Sequence, residues 1–395
     1  MNLSRMRVYF DYNATSPPAP EVVDTVARVS REVFGNPSSV HHFGQQAKAV
    51  VDEARSAVAR LIGADPSEIV FTSGGTEADN LAIRGAAEAL EPTGRRHLVA
   101  TAIEHEAVLN TLKALGRRGW RTTLVPVDES GVVSPVDVEV AIGADTALVS
   151  IMHANNEIGT IQPVAGVAAI ARGRGVLVHT DAVQSVGKIP VNVGALKADL
   201  LALSAHKFGG PKGVGVLWVR RGTRIHATLT GGKQERNRRA GTENVPGIAG
   251  LGVAARLAAS TLSTESIRLA SLRDRLEEGI LHRVPGTAVN GSPVDRVPNT
   301  TNISFDRVEA ESLLIALDLE GVAVSTGSAC SSGTLEPSHV LLAMGFPSHR
   351  TQNSLRFSLG LSSTEADVDR VVALLPLLVD KLRSLTRRPA AQSSR

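Results

Sequence analysis

The sequence predicts an α/β fold, with a mainly parallel, seven-stranded sheet in a large domain and a smaller α+β domain after it. Two observations carry this prediction. Between residues 47 and 220, short apolar segments alternate with stretches in which apolar residues recur at helical spacing. After residue 250 the pattern changes, and long helical stretches enclose a few short strands. Strands separated by helices pair in parallel, so the first region favours a sheet covered by helices.

The predicted strands of the large sheet are short apolar segments, which is typical of buried strands. They are residues 68–72, 97–103, 122–127, 147–152, 176–179, 200–204 and 214–219. We predict one helix before the first strand, at 47–62, which ends at Gly63, and one after it, at 77–90, which follows a glycine loop. The smaller domain has predicted strands at 302–305 and 354–359 and predicted helices at 267–283 and 366–385.

The length of the chain and the change in its hydrophobic pattern suggest where the domains meet. A chain of 395 residues exceeds the usual size of one hydrophobic core. We expect a large domain over residues 15–260 and a small domain over residues 1–14 and 261–386, with a helix near 248–259 linking them. Residues 387–395 are polar and predict a disordered tail.

Composition narrows the function classes. With 43% hydrophobic and 21% charged residues the chain is typical of a globular protein, and a net charge of +3 gives no support for nucleic-acid binding. The arginines at 236–239 are expected to lie in a solvated loop. No window approaches the ~20 apolar residues of a membrane span, so we expect a cytoplasmic protein without a membrane partner. The single cysteine, Cys330, excludes an intramolecular disulfide and a zinc site of several thiolates.

A lysine and an aspartate stand at two predicted strand ends. Lys207 follows the strand at 200–204, and Asp181 follows the strand at 176–179. A buried ammonium is unfavourable unless a partner or a covalent bond compensates for its burial, and a Schiff base does so. A carboxylate nearby could hold a pyridine nitrogen. Taken alone, Lys207 would fit an exposed strand-to-loop junction, but the pair indicates pyridoxal phosphate (PLP).

A phosphate site is predicted where Gly74, Gly75 and Thr76 join a strand to a helix. The free N–H groups and the positive dipole end of that helix favour an anion, although any tight turn uses the same residues. Ser204 and His206, which flank the lysine segment, can supply further donors. These separate chain segments would then meet at one phosphate.

Four other residues are candidates for chemistry. His105 could stack on a pyridine ring and move protons, or it could cap a helix. The turn that contains Asn156 could bind a ligand or only shape the loop. Arg356, in a strand of the small domain, suits a carboxylate, although strand arginines also face solvent. Cys330 lies in a run of small residues that favours an exposed, reactive thiol over a buried, inert one.

Together these segments resemble the cysteine desulfurases, PLP-dependent enzymes of the class-V aminotransferase family with the type I transferase fold. The resemblance runs from residue 10 to residue 367, and the context of Cys330 is similar to the NifS/IscS-like group. The matching segments are Phe10-Asp-Tyr-Asn-Ala-Thr15, Phe34-Gly-Asn-Pro-Ser38, Thr72-Ser-Gly-Gly-Thr-Glu77, Glu104-His105, Asn155-Asn-Glu-Ile-Gly159, Asp181 with Gln184, Ser204-Ala-His-Lys207, Arg239-Ala-Gly-Thr242 and Ser328-Ala-Cys330.

The resemblance implies a role for each matching residue. Lys207 would hold the cofactor and move the proton, His105 would stack on the ring and assist, and Cys330 would take the substrate sulfur as a persulfide. Asn156 and Arg356 would bind the carboxylate of L-cysteine. The implied cofactor-binding residues are Gly75, Thr76, His105, Asn156, Asp181, Gln184, Ser204, His206, Lys207 and, from the second subunit of a homodimer, Thr242.

The implied reaction converts L-cysteine to L-alanine and an enzyme persulfide. The sulfur would pass to an acceptor in iron–sulfur cluster assembly or tRNA thiolation, and no metal site is expected beyond a contact of Cys330 with an iron–sulfur cluster during transfer. Two alternatives stay open. One is a selenocysteine lyase or another β-eliminating relative, and the other is a non-catalytic scaffold homologue. Cys330 favours sulfur chemistry over the first, and the intact set of Lys207, Asp181 and His105 argues against the second.

Overall fold

The computed structural model describes residues 7–327 and 337–386, and the predicted tail at 387–395 lies outside them. In chain order the strands are β1 (Val8–Tyr9), β2 (Ile69–Thr72), β3 (His97–Thr101), β4 (Arg121–Val125), β5 (Thr146–Ser150), β6 (Leu177–Asp181), β7 (Leu200–Ser204), β8 (Gly215–Val219), β9 (Thr287–Asn290), β10 (Thr300–Phe305), β11 (Val322–Ala323) and β12 (Ser354–Ser358). The helices are α1 (Pro20–Glu32), α2 (His42–Ile62), α3 (Gly75–Leu90), α4 (Glu106–Gly116), α5 (Pro135–Ala141), α6 (Val164–Gly173), α7 (Val193–Leu196), the single turn α8 (Gln234–Asn237), α9 (Val245–Arg283), α10 (Ala310–Leu319), α11 (His339–Ala343), α12 (Ser348–Gln352) and α13 (Glu365–Thr386).

The large sheet has seven strands in the order β2-β8-β7-β6-β5-β3-β4, and β8 runs antiparallel to both of its neighbours. The other described pairs in this sheet are parallel. This confirms the predicted mainly parallel, seven-stranded α/β architecture. The loops that follow the parallel strands therefore meet at one edge of the sheet, which is where open α/β folds bind ligands.

Apart from the edge strand β4, where Arg121, Thr122 and Leu124 are exposed, the strands of this sheet are buried on both faces, and residues alternate between the faces along each strand. In β2, Ile69 and Phe71 belong to the core on the α2 face, whereas Val70 belongs to the core on the α3 face. An alternation with period two sends neighbouring side chains to opposite faces, so strands buried on both sides read as continuous apolar runs. That is why the sequence already marked them as strands.

The small domain is built on an antiparallel sheet in the order β12-β10-β9, and β1 pairs in parallel with β11. Its core joins Val8 and Phe10 from the start of the chain to residues of α10, α13 and β12. The amino-terminal strand thus packs with the carboxyl-terminal part of the chain.

The predicted helix at 267–283 and the predicted linker at 248–259 are one continuous 39-residue helix, α9. Its first part contributes Ile248 and Leu251 to the core of the large domain, and its second part contributes Leu272 and Leu276 to the core of the small domain. By length and composition alone α9 is apolar enough to cross a membrane, but half of its most apolar window is buried inside the protein. Its packing is that of a core helix shared by two globular units.

Candidate active site

A cavity of about 230 Å³ lies at the carboxyl ends of the parallel strands. Residues from the start of α3, the N-cap position of α4, the ends of β6 and β7 and the loops after β5, β6 and β7 surround it. It is lined by Gly75, Thr76, Asp79, His105, Met152, Ala154, Asn156, Asp181, Val183, Gln184, Ser204, His206 and Lys207. Nine of the ten residues that the sequence marked for cofactor binding therefore line one space, and only Thr242 does not.

The first turn of α3 forms one wall of this cavity. The helix begins at Gly75, and its N-cap residue Gly74 has no side chain to satisfy the first helical N–H groups. A Cβ atom on Gly75 would lie 2.8 Å from Val183 Cγ2, so only glycine lets the helix approach the loop after β6 this closely. Ser204 and Thr76 line the same wall. Free N–H groups, hydroxyls and the helix dipole together suit a phosphate.

His206 closes the anion-binding side of the cavity. Its Nδ1 lies 3.1 Å from Thr15 Oγ1, and its carbonyl oxygen accepts hydrogen bonds from the backbone N–H and the hydroxyl of Ser16. Burial, together with the positive charges of Lys207 and Lys212, lowers the pKa of His206 to about 4. At neutral pH the ring is uncharged, and it can donate or accept one hydrogen bond at each nitrogen.

Lys207 enters the cavity from the turn that follows β7. Its Nζ donates hydrogen bonds to the carbonyl oxygens of Asn13, at 2.7 Å, and Ala14, at 2.9 Å. Burial and then the charge of Arg356 lower the pKa of Lys207, those of Asp181 and Asp11 partly offset the effect, and the result is a pKa of about 8. Near neutral pH the unprotonated, nucleophilic amine is therefore far more abundant than in an ordinary lysine.

The rate at which the apoprotein captures PLP is expected to rise with pH through a midpoint near 8, because only the unprotonated Lys207 amine attacks an aldehyde. Stopped-flow absorbance at about ten pH values from pH 6 to pH 10 would measure this capture rate. An ordinary lysine would give a midpoint near the usual lysine pKa of about 10.4. A midpoint there would show that the Lys207 amine is not activated.

Asp181 is the last residue of β6, the strand next to β7. Its Oδ1 accepts the backbone N–H of Val183 at 2.9 Å, and among the described residues no hydrogen-bond partner is found for Oδ2. Burial raises the pKa of Asp181, while the charges of His105 and Lys207 and the Val183 N–H act against that rise. A cationic N–H group inside the cavity would compensate for the buried carboxylate.

His105 is both a helix cap and a cavity residue. It is the N-cap of α4, and its Nδ1 accepts the backbone N–H of Ala107 at 3.1 Å. Since Nδ1 acts as an acceptor, the neutral ring carries its proton on Nε2. The structure confirms the helix cap, which orients a ring that also lines the cavity, and the stacking and proton-transfer role of His105 stays a prediction.

Two further buried carboxyl groups interact with Asp181. Burial raises the pKa of Glu104 to about 8 and that of Asp79 well above its usual range, and the charge of Asp181 adds to both shifts. Asp79 Oδ1 lies 3.4 Å from Nε2 of His179, whose pKa burial lowers to about 3. Burial therefore favours the neutral forms of Glu104, Asp79 and His179, whereas the Lys207 charge and the Val183 N–H favour the ionised form of Asp181.

Replacing Glu104 with glutamine is expected to flatten the pH dependence of stability. The folded state keeps Glu104 protonated up to pH about 8, whereas the unfolded chain ionises it near 4.5. The contribution of Glu104 to the free energy of unfolding is fully present below pH 4.5 and is lost as the pH rises toward 8. Glu104→Gln should therefore gain about 2–4 kcal/mol relative to the unsubstituted protein between pH 5 and pH 8. Urea denaturation at both pH values would measure this, with the exposed Glu278→Gln as control; parallel curves would contradict it.

Arg356 and Asn156 connect the cavity to the small domain. Arg356 Nη1 donates to the Asn156 carbonyl oxygen at 2.9 Å, and Nη2 pairs with Asp11 Oδ1 at 2.6 Å. The buried Nε has no hydrogen-bond partner among the described residues. The guanidinium is thus held by two partners beside the cavity, although Arg356 itself does not line it. Asn156 does line it.

Two predicted residues are not in this cavity. Thr242 is exposed and does not line the cavity of its own subunit, and Cys330 lies outside the described residues.

Sequence reasoning missed Asp79, which follows Thr76 by one helical turn and so faces the same way. It also missed the role of Asn13, whose carbonyl oxygen accepts hydrogen bonds from Lys207 and Gln184. Asn13 belongs to a matching segment, but only its contacts reveal this role.

The described residues fit PLP. The cavity offers an activated amine, a buried carboxylate for a protonated pyridine nitrogen and a glycine-lined helix start for a phosphate. PLP would supply an aldehyde for the amine and an electron sink at this site. Lys207, Asp181 and the first turn of α3 would hold it.

Known proteins resemble the chain over nearly its whole length. The family model described as aminotransferase class-V matches residues 8–371. Cysteine desulfurase IscS of Dictyoglomus turgidum is 49% identical, covering 97% of each chain, and cysteine desulfurase IscS of Methanosarcina thermophila is 49% identical, covering 96% of this chain and 93% of the relative. A solved NifS-like protein superposes with a TM-score of 0.90 at 40% identity, over 95% of this chain and 100% of that one.

A further similar solved structure is a complex with cysteine. SspA in complex with cysteine is 34% identical with a TM-score of 0.79, over 89% of this chain and 98% of that one. Matches of this length and identity cover both domains and the whole described site. The chain therefore belongs to the class-V aminotransferase family, and within that family it is a member of the cysteine desulfurase group.

Proposed function

We propose that this protein is a PLP-dependent L-cysteine desulfurase that forms L-alanine and a persulfide on Cys330. The observation that carries the proposal is the cavity in which the Lys207 amine, the Asp181 carboxylate and the start of α3 meet. Relatives of about 49% identity that are named cysteine desulfurase support the choice of substrate.

Each side chain has a task that its surroundings make possible. Lys207 binds the cofactor and, once released, moves the substrate's Cα proton, because its pKa of about 8 lets one amine act as both base and acid. Asp181 stabilises the positive pyridine nitrogen. His105, held by its cap bond, lies against the ring, and Gln184 donates to the ring oxygen. Arg356 and Asn156 bind the substrate carboxylate.

PLP supplies an electron sink that makes the substrate's Cα acidic and weakens its Cβ–S bond. The Cys330 thiolate attacks the substrate sulfur, so that an S–S bond forms while the Cβ–S bond breaks. The electron pair of the broken bond stays with Cβ, which takes a proton to become the methyl group of alanine. The sum is L-cysteine and a thiol giving L-alanine and a persulfide, with no external oxidant.

The products test this proposal directly. With L-cysteine and excess dithiothreitol, the purified holoenzyme should release L-alanine and sulfide in equal amounts, measured by amino-acid analysis and a colorimetric sulfide assay. A β-eliminating relative would instead release pyruvate and ammonia with the sulfide. Pyruvate as the main product would overturn the desulfurase assignment, and no turnover with fully bound cofactor would favour a non-catalytic homologue.

The proposed partners are a second copy of the chain and an acceptor for the sulfur. We propose a cytoplasmic homodimer in which Thr242, exposed on its own subunit, reaches the phosphate of the other subunit. The salt bridge between Arg239 and Glu77, 2.8 Å long, holds the segment before Thr242 against the first turn of α3. The persulfide would pass to a sulfur acceptor such as an iron–sulfur scaffold protein, and we expect no direct nucleic-acid contact.

A further inference from the structure

Lys188 is a buried lysine that the mechanism above does not use. It is 7% exposed, and its Nζ donates to Gln184 Oε1 at 2.6 Å and to Asn13 Oδ1 at 2.7 Å. Neither acceptor is charged, and Lys188 forms no ion pair with any residue in 7–327 or 337–386. Burying an amine without a counter-charge is costly. Charge pairing therefore does not explain why a lysine occupies this position.

The two partners of Gln184 determine which way its carboxamide points. The carbonyl oxygen of Asn13 can only accept, so the atom 3.0 Å from it must be the amide nitrogen, Nε2. The amide oxygen, Oε1, then faces Lys188 Nζ and accepts its hydrogen bond. The alternative orientation would place the amide oxygen against the carbonyl oxygen of Asn13, two acceptors with no hydrogen between them.

The nitrogen of Gln184 carries a second hydrogen. Nε2 uses one hydrogen on Asn13, and no partner for the other is found in the described part of the chain. Gln184 lines the cavity, so this hydrogen is the donor that the side chain can offer to a ligand there. We propose that Lys188 is a positioning residue that holds the Gln184 carboxamide with its N–H side toward the cofactor.

This role does not depend on the charge of Lys188. Burial, and then the positive charges of Lys207 and Arg356, lower the pKa of Lys188 well below its usual range. A neutral amine still has two hydrogens, and the two acceptors use both. Its lone pair accepts nothing from Gln184. Lys188 is itself held in place by Asn13, whose Oδ1 also accepts from Asn299 Nδ2 at 3.1 Å.

The inference rests on the proposed function in one respect, namely that the cofactor ring lies against Gln184. Lys188→Met keeps the length and apolar stem of the side chain but leaves Gln184 Oε1 buried without a partner. Gln184 should then turn away to satisfy its oxygen, and the apparent Kd for PLP should rise about 5–20-fold. Equilibrium dialysis of the apoprotein against PLP measures this. Lys113→Met, which removes an exposed lysine from α4, should leave the Kd unchanged.

A double-mutant cycle separates positioning from general damage to the fold. If Lys188 acts through Gln184, Lys188→Met should add less than about twofold to the Kd of Gln184→Ala. Fully additive effects, or an unchanged Kd in Lys188→Met alone, would overturn the proposal. Lys188→Gln, which retains an N–H donor, should stay within about threefold of the unsubstituted Kd, and it tests the same point if the methionine variant does not fold.

The outcomes also separate this inference from the proposed function. An unsubstituted apoprotein that does not bind PLP would refute the cofactor assignment itself. Normal binding by the unsubstituted protein, together with additive effects in the cycle, would refute only the positioning role of Lys188.

Discussion

Lys207→Ala should abolish the visible absorption of the holoenzyme and lower L-alanine formation by at least about 10³-fold. The variant loses the only amine that lines the cavity among the described residues, and with it both the covalent link to PLP and the group that moves the Cα proton. PLP should still bind through the helix start and Asp181, but it should dialyse away. Absorption spectra before and after dialysis, with alanine assayed in parallel, measure both effects.

The control for this variant is Lys48→Ala, which removes an exposed lysine from α2 and should keep the spectrum and activity of the unsubstituted enzyme. A small primary amine added to Lys207→Ala should restore a fraction of the activity, because the empty space left by the side chain can admit it. Borohydride trapping of PLP on another lysine, with unchanged turnover, would show that position 207 does not hold the cofactor.

Cys330→Ser should keep the cofactor spectrum and its change on addition of L-cysteine, but alanine and sulfide formation should fall by about 10³-fold or more. A serine hydroxyl is far less acidic and less nucleophilic toward sulfur than a thiol, so the Cβ–S bond has no acceptor for its sulfur. Mass spectrometry after alkylation should find one added sulfur on Cys330 in the unsubstituted enzyme and none at position 330 of the variant.

Ser328→Ala, which changes a neighbour of Cys330, is the matched control and should form the persulfide normally. Full sulfide release by Cys330→Ser would assign the protein to the β-eliminating relatives. Loss of the cofactor spectrum in the same variant would instead mean that the substitution damages the binding site rather than the nucleophile.

Much of the fold and of the cofactor site was predictable from local sequence. β7 is apolar up to Ser204 and β6 begins with the apolar pair Leu177 and Val178, and Lys207 and Asp181 come at or just after the ends of these strands. Because β6 and β7 are parallel neighbours, their carboxyl ends lie at the same edge of the sheet, so the two residues meet in one cavity. The same reasoning brought Thr76, His105 and Ser204 to that edge.

Other features depend on contacts between distant parts of the chain. The helical patterns before and after residue 260 gave no sign that α9 is continuous, because an amphipathic pattern changes wherever a helix passes from one core to another. Asn13 is 175 residues away from Lys188 and 194 away from Lys207, yet it binds both. No local pattern marks a residue whose importance comes from such partners.

The sequence by itself determined the alternation of strands and helices, the side chains available for PLP chemistry and the edge of the sheet where they gather. These follow from hydrophobic period and strand direction, which are local properties of the chain. Only the tertiary structure decided that the pKa of Lys207 is lowered, that those of Glu104 and Asp79 are raised, and that Gln184 presents its nitrogen to the cavity. Protonation and amide orientation depend on burial and on hydrogen-bond partners, which exist only once remote segments have packed together.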